Sequence, residues 1–218
     1  QTEGVQSGIS LKKAWNLMKD IQVATLPVTC GSQLEGIITV KDIATANMDI
    51  YDSRILASSK TSYRNIIETL DGTLVVGDEN KVIENGKILI AAGNPEILEN
   101  FIEDDDIVIL SNRYESQLCA IEMNAGCIIV GMDSPIAKTI KKLAEEKGCT
   151  IISTPYDTYT TARLINQSTP IHYFMKTVNL ITFETDDFTE DVKKVVTKVR
   201  HRDFPVLDVY GNYCGMIS

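Results

Sequence analysis

A proline-centred hairpin pattern occurs twice in this chain, near its beginning and at its last residues. The first copy reads Leu26-Pro27-Val28, a turn at Gly31-Ser32, then Gly36-Ile37-Ile38-Thr39-Val40-Lys41-Asp42. The second reads Phe204-Pro205-Val206, a turn at Gly211-Asn212, then Gly215-Met216-Ile217-Ser218. Each copy has an apolar-Pro-Val strand, a glycine-bearing turn and a return strand of the form Gly-apolar-apolar-hydroxyl. Internal duplication at this spacing implies two similar units flanking an insert.

The flanks read as small α/β units. Ser10 suits an N-cap, and Leu11, Ala14, Trp15 and Met18 fall at i, i+3, i+4 and i+7, predicting an amphipathic helix over 10–20 with these four on one face. The hairpin of residues 23–39 follows, and Asp42 to Met48 reads as a second short helix. The second flank begins at Pro170. Ile171 to Met175 is a short apolar turn, Leu180-Ile181-Thr182-Phe183 a strand, and Thr189 to Arg200 a helix with Val192, Val195, Val196 and Val199 on one face. The second hairpin then ends where the next helix is expected, so the chain reads as part of a longer protein.

The middle has a different rhythm. Strands are expected at 73–76, 87–92, 106–110, 127–130 and 150–153, and helices at 61–70, 95–101, 115–123, 134–147 and 157–165. For the helix over 134–147, Ser134 suits the N-cap, Pro135 the first helical position and Gly148 the residue after the end. Near-continuous apolar strands alternating with helices predict a mostly parallel sheet covered on both faces.

At 218 residues the chain fits one or two domains, or three small ones. A net charge of −9 argues against a general binder of nucleic acid or anionic membrane, and leaves room for one locally basic cleft. No apolar run is long enough for a membrane span, and there is no signal-peptide pattern. The five cysteines (Cys30, Cys119, Cys127, Cys149, Cys214) are scattered with no Cys-x-x-Cys, and the histidines are His172 and His201. This argues against a zinc site and for a reduced, cytoplasmic setting, with most thiols acting as small core hydrophobes.

Residues that an enzyme needs are scarce. There is no phosphate-binding Gly-x-x-x-x-Gly-Lys loop, no His-Glu-x-x-His and no Gly-x-Ser-x-Gly elbow. The acidic run Glu103-Asp104-Asp105-Asp106 has the composition of a divalent-metal site, but it precedes a buried strand and is read as a solvated loop. Binding is better supported. Thr39 and Asp42 lie three residues apart at a strand-to-helix junction, where the helix dipole favours an anion. Asp42 suits the two hydroxyls of a ribose and Lys41 a phosphate. The alternative is that Thr39 or Asp42 only caps the helix. Ser218 repeats Thr39 in the second copy. His201 and Arg202 suit phosphate, and Tyr213 is either a purine-stacking residue or an exposed turn residue.

These residues resemble the CBS domain, named for cystathionine β-synthase. Leu26-Pro27-Val28 with Gly36 to Asp42 looks like its second half, Pro170 to Met175 its start, and Phe204 to Ser218 its second half again. The insert resembles the DRTGG domain at Asn112-Arg113-Tyr114-Glu115-Ser116-Gln117 and at Ser153 to Tyr159, with Val130-Gly131-Met132 in place of Thr-Gly-Gly. A DRTGG domain between two CBS domains is similar to the regulatory insert of bacterial family II inorganic pyrophosphatases, which are manganese- or cobalt-dependent phosphoesterases. The resemblance implies a mixed α/β fold: a CBS domain at 1–57, a DRTGG domain with a mostly parallel sheet at 58–168, and a second CBS domain at 169–218.

CBS domains work in pairs that bind adenine nucleotides. In that family the hydroxyl and Asp of the Gly-apolar-apolar-Thr/Ser-x-x-Asp motif hold ribose and phosphate, which maps onto Thr39 and Asp42 and onto Ser218. The adenine meets backbone near Val28 and Val206 and along Lys176, Thr177, Val178 and Asn179. With Thr25, Lys41, His201, Arg202, Phe204 and Tyr213, these form the expected nucleotide site. The resemblance further implies a homodimer in the cytoplasm, with no catalytic residues of its own and no nucleic acid or membrane partner. Its implied ligands are AMP, ADP or ATP, with AMP and ADP as inhibitors, and diadenosine polyphosphates as activators. Manganese or cobalt belongs to a catalytic domain of the same polypeptide. The alternatives are a sensor of another adenosyl ligand, such as S-adenosylmethionine, attached to another enzyme or transporter, and a small enzyme using the sheet-edge crevice of the middle domain.

Overall fold

The two proline hairpins fold in one register. Leu26, Pro27 and Val28 face Ile38, Ile37 and Gly36, as Phe204, Pro205 and Val206 face Ile217, Met216 and Gly215. The structure is a computed structural model that describes residues 3–48, 52–91, 95–177, 183–184, 192, 195 and 204–217. The chain runs through α1 (Leu11–Ile21), β1 (Thr25–Cys30), β2 (Gln33–Thr39) and α2 (Val40–Met48). The middle section holds α3 (Ile55–Ser58), α4 (Tyr63–Thr69), β3 (Thr73–Val76), β4 (Ile88–Ile90), α5 (Pro95–Leu98) and β5 (Ile107–Leu110). It continues with α6 (Tyr114–Glu122), β6 (Cys127–Val130), α7 (Lys138–Lys147), β7 (Thr150–Ser153) and α8 (Thr158–Leu164). Short 3-10 turns at Ile165–Ser168 and Ile171–Tyr173 lead to β8 (Phe183–Glu184), β9 (Phe204–Leu207) and β10 (Tyr213–Ile217).

Residues 1–9, 13–46 and 171–218 form one compact unit, and residues 10–12 and 47–170 the other. In the first unit the duplication extends beyond the hairpins. Val5 lies parallel to Val28, its N–H donating to Pro27 O and its carbonyl accepting from Thr29 N–H. Phe183 lies parallel to Val206 in the same way. Both return strands also slip register at one place: Glu35 is the extra residue between Leu34 and Gly36, and Cys214 between Tyr213 and Gly215. A bulge bends its strand and re-aims the side chains beyond it, so a shared bulge marks a shared architecture. The strand foreseen at 180–183 is described only at Phe183–Glu184, and the helix foreseen at 189–200 only at Val192 and Val195, both helical.

The second unit is a five-stranded sheet of order β3-β7-β6-β5-β4. The last four strands are parallel and β3 runs antiparallel at the edge, so the sheet is mostly parallel, as the apolar runs predict. Alternate side chains divide between two cores. Val108, Leu110, Ile128, Val130 and Ile151 pack with Leu98, Ala120, Ile121 and Ile140 of α5, α6 and α7. Ile107, Ile109, Cys127, Ile129 and Ile152 pack with Leu56, Ile66, Leu70 and Ile165. This two-sided burial explains why β5 and β6 are apolar at every position. Burial raises the Cys127 thiol well above its usual range and Cys149 to about 12, so both act as inert core residues.

Three expectations are corrected. In α1, Leu11, Ala14 and Met18 are buried while Trp15 is 39% exposed, its ring under the Lys19 ammonium, because the buried stripe follows i, i+3 and i+7 and leaves the i+4 position at its edge. Helix α7 starts at Lys138 rather than Ser134. Met132 and Asp133 both adopt positive φ, and the Ser134 hydroxyl donates back to Gly131 O, so these residues close a turn that extends the loop. Gly148, at φ 71°, ends that helix as foreseen. The acidic run is not wholly solvated, because Asp106 is fully buried. Its carboxylate accepts from Lys87 Nζ (2.8 Å), Lys87 N (3.0 Å) and Glu103 N (2.9 Å). Burial alone would lower the pKa of Lys87; its hydrogen bonds to Asp106 and Glu103 outweigh that and raise it.

Removing one partner of a buried, hydrogen-bonded ion pair strands the other groups. Asp106→Ala is therefore expected to destabilise the protein by about 3 kcal/mol, read as a lowered midpoint in urea unfolding with an unchanged slope. A midpoint equal to that of the parent protein would show that Asp106 is dispensable.

Candidate functional site

A polar cluster in the first unit gathers at the end of the first hairpin. Strand β2 ends at Thr39 and α2 starts at Val40, so side chain and backbone meet in one turn. Thr39 N–H donates to Asp42 Oδ2 (2.9 Å), and Asp42 N–H donates to Thr39 Oγ1 (3.1 Å). The expected alternative of a helix cap is thus realised, as a reciprocal capping box. The cap does not exhaust either side chain. The Thr39 hydroxyl keeps its proton for a further bond, and Asp42 keeps Oδ1, which faces Lys176 Nζ at 3.5 Å. The carboxylate is 11% exposed and the lysine side chain 48% exposed, so the pair sits at a partly open surface.

Lys176 is carried there by backbone pairing. Ile37 N donates to Lys176 O (3.1 Å) and Lys176 N to Ile37 O (2.9 Å), an antiparallel bridge on the free side of β2. The approach is close enough to require glycine next door. A Cβ on Gly36 would lie 2.7 Å from Lys176 O and 3.3 Å from both Met175 Sδ and Thr177 Cγ2. The two hairpins also meet at their turns. Tyr213 N donates to Ser32 O (2.7 Å), and Ser32 Oγ and Gln33 Nε2 both donate to Asn212 Oδ1. Asn212 is in turn fixed by Asp208, whose carboxylate accepts from the backbone N–H groups of Asn212 and Tyr210; the Asn212 bond in particular lowers its pKa.

The structure therefore brings several of the expected residues together. Thr25, buried, lies opposite Thr39 in the ladder, and Val28, buried, lies opposite Gly36. Thr39, Asp42 and Lys176 converge as above, Thr177 lies beside Gly36, and Lys41 is exposed on α2. In the second hairpin Phe204 is buried, Val206 and Tyr213 are half-buried, and burial raises the Tyr213 hydroxyl pKa. Tyr213 is a strand residue opposite Leu207, not an exposed turn residue. Val178, Asn179, His201, Arg202 and Ser218 lie outside the described residues. Sequence reasoning missed the roles of Gly36, Ile37 and Asn212. The glycine was visible as a repeated position with Gly215, but its close neighbour was not. Among the described residues no group of three or more His, Cys, Asp or Glu is arranged to hold a metal ion. No described helix is long and apolar enough to cross a membrane.

Comparison with known proteins places these features. The CBS domain is recognised over residues 5–49 and the DRTGG domain over residues 65–168. The crystal structure of the CBS and DRTGG domains of the regulatory region of Clostridium perfringens pyrophosphatase, complexed with the activator diadenosine tetraphosphate, is similar with a TM-score of 0.95 at 38% identity. That match covers 100% of this chain and 95% of the other. The cobalt-dependent inorganic pyrophosphatase of the same organism is 38% identical over 211 residues. A probable manganese-dependent inorganic pyrophosphatase of Thermotoga maritima is 25% identical over 202 residues. The chain spans 38% and 37% of the lengths of these two relatives, and 96% and 93% of the chain is matched.

Replacing Gly36 tests the close approach of residues 175–177. Gly36→Ala is expected to destabilise the protein by about 1–3 kcal/mol through overpacking against backbone. Thermal unfolding reads this, and an unchanged midpoint would show that the 175–177 segment is not held there.

Proposed function

The chain belongs to the regulatory regions of inorganic pyrophosphatases built from CBS and DRTGG domains, and on that premise we propose that it is an adenine-nucleotide sensor for a catalytic domain of its own polypeptide. The single observation that carries the reading is the convergence of Thr39, Asp42 and Lys176 where the duplicated hairpins share one compact unit. Asp42 accepts the ribose hydroxyls, the Thr39 hydroxyl and the positive end of the α2 dipole meet phosphate, and Lys41 adds positive charge. Val28, Val206 and the stretch Lys176 to Asn179 flank the base, with Tyr213 as a stacking surface and His201, Arg202 and Ser218 as the second copy's counterparts. The complex of the Clostridium perfringens relative with diadenosine tetraphosphate supports an adenosyl ligand of this kind.

In this reading 1–57 and 169–218 are the paired CBS units, 58–168 the DRTGG insert, and the working form is a cytoplasmic homodimer. Hydrolysis, with its manganese or cobalt, belongs to the catalytic domain. AMP, ADP, ATP and diadenosine polyphosphates differ in length and charge. Each shifts the arrangement of the units only by its differential affinity for two states, with coupling of about 1–3 kcal/mol.

Thr39→Ala and Asp42→Ala are each expected to weaken AMP binding about tenfold in titration calorimetry, through loss of charge-assisted hydrogen bonds. Unchanged affinity in both would remove them from the site. A thermal-shift panel of AMP, ADP, diadenosine tetraphosphate and S-adenosylmethionine should show stabilisation by the nucleotides. Stabilisation by S-adenosylmethionine alone would contradict the reading.

A further inference from the structure

Asp42 has two calls on its carboxylate. Oδ2 belongs to the capping box, and Oδ1 faces the Lys176 ammonium at 3.5 Å. The lysine backbone is fixed by its two hydrogen bonds to Ile37, whereas its half-exposed side chain is a flexible four-carbon stem ending in a rotatable point charge. A ribose that takes Asp42 Oδ1 must displace this ammonium. The displaced charge then lies beside the ligand, near the start of α2. A phosphate offers it a new anionic partner at once. A neutral nucleoside offers none, and a cationic adenosyl ligand repels it.

Resting on the nucleotide-sensor reading above, we infer that Lys176 is a charge-selecting residue: without ligand its ammonium neutralises Asp42, and with ligand it swings to the phosphate as the ribose takes over that carboxylate. Selection for anionic adenosyl ligands is then built into the protein's own ion pair, separately from recognition of the base. Exchange of one partner for another also keeps Asp42 Oδ1 partnered in both states, by the ammonium without ligand and by ribose hydroxyls with it, so the part-buried carboxylate is never left without a donor.

Titration calorimetry with AMP and with adenosine on the parent protein, Lys176→Met and Lys176→Arg separates the possibilities. The parent should prefer AMP. Lys176→Met should lose about tenfold of that preference, the worth of a charge-assisted hydrogen bond, with adenosine binding tighter because Asp42 is released. Lys176→Arg should keep most of the preference. Equal weakening of AMP and adenosine in Lys176→Met would mean that the side chain only shapes the crevice, and would overturn the inference, as would no change for either ligand. Both results leave the sensor reading standing if the parent binds AMP. A parent protein that binds neither AMP nor adenosine overturns the sensor reading and this inference together.

Discussion

The first unit depends on one close backbone approach, the antiparallel bridge between Ile37 and Lys176 beside Gly36. It joins segments from the two ends of the chain, and it works only because position 36 has no Cβ. Two backbone hydrogen bonds fix the 175–177 segment against β2, and the segment brings Lys176 to Asp42 as a consequence. At the other end of the hairpins, the Ser32–Tyr213 backbone bond and the Asn212 side chain hold the turns together. The candidate site is thus a by-product of how the duplicated strands are tied, and its geometry is set by backbone rather than by long side chains.

The capping box shows how structural and binding roles coexist in the same two residues. A Thr and an Asp that satisfy each other's backbone N–H groups hold their side chains in fixed positions, with the entropy of ordering already spent. Each retains bonding capacity pointing away from the cap. The mixed sheet of the second unit is a contrast. Its central strands β5 and β6 are buried on both faces, its buried cysteines are held as neutral thiols, and its buried acid is committed to Lys87 and two backbone amides.

Much of this was legible in the sequence because it rests on local pattern. The repeated Pro-Val and Gly-apolar-apolar-hydroxyl positions located both hairpins, and the unbroken apolar runs located β5, β6 and β7 with their two-sided burial. What escaped was set by tertiary approach. Nothing in Glu35 or Cys214 announces a bulge, since the extra residue is defined only against its partner strand. Ser134 and Pro135 carry the composition of a helix start, but the left-handed pair Met132–Asp133 spends them on a turn. Asp106 looks like the last member of a solvated run until Lys87, distant in sequence, closes over it. At the site, the Thr39–Asp42 spacing was readable, whereas the Lys176 side of the crevice depends on a long-range bridge.

The central claim is that an adenine nucleotide binds at the joined hairpins of the first unit. Backbone amide shifts in an AMP titration followed by nuclear magnetic resonance test it most directly. The account predicts saturable shifts concentrated at Thr39 to Asp42, at Met175 to Thr177 and along Val206 and Tyr213 to Ile217. Shifts concentrated instead at the carboxyl ends of β5, β6 and β7, with those hairpin amides unmoved, would contradict it.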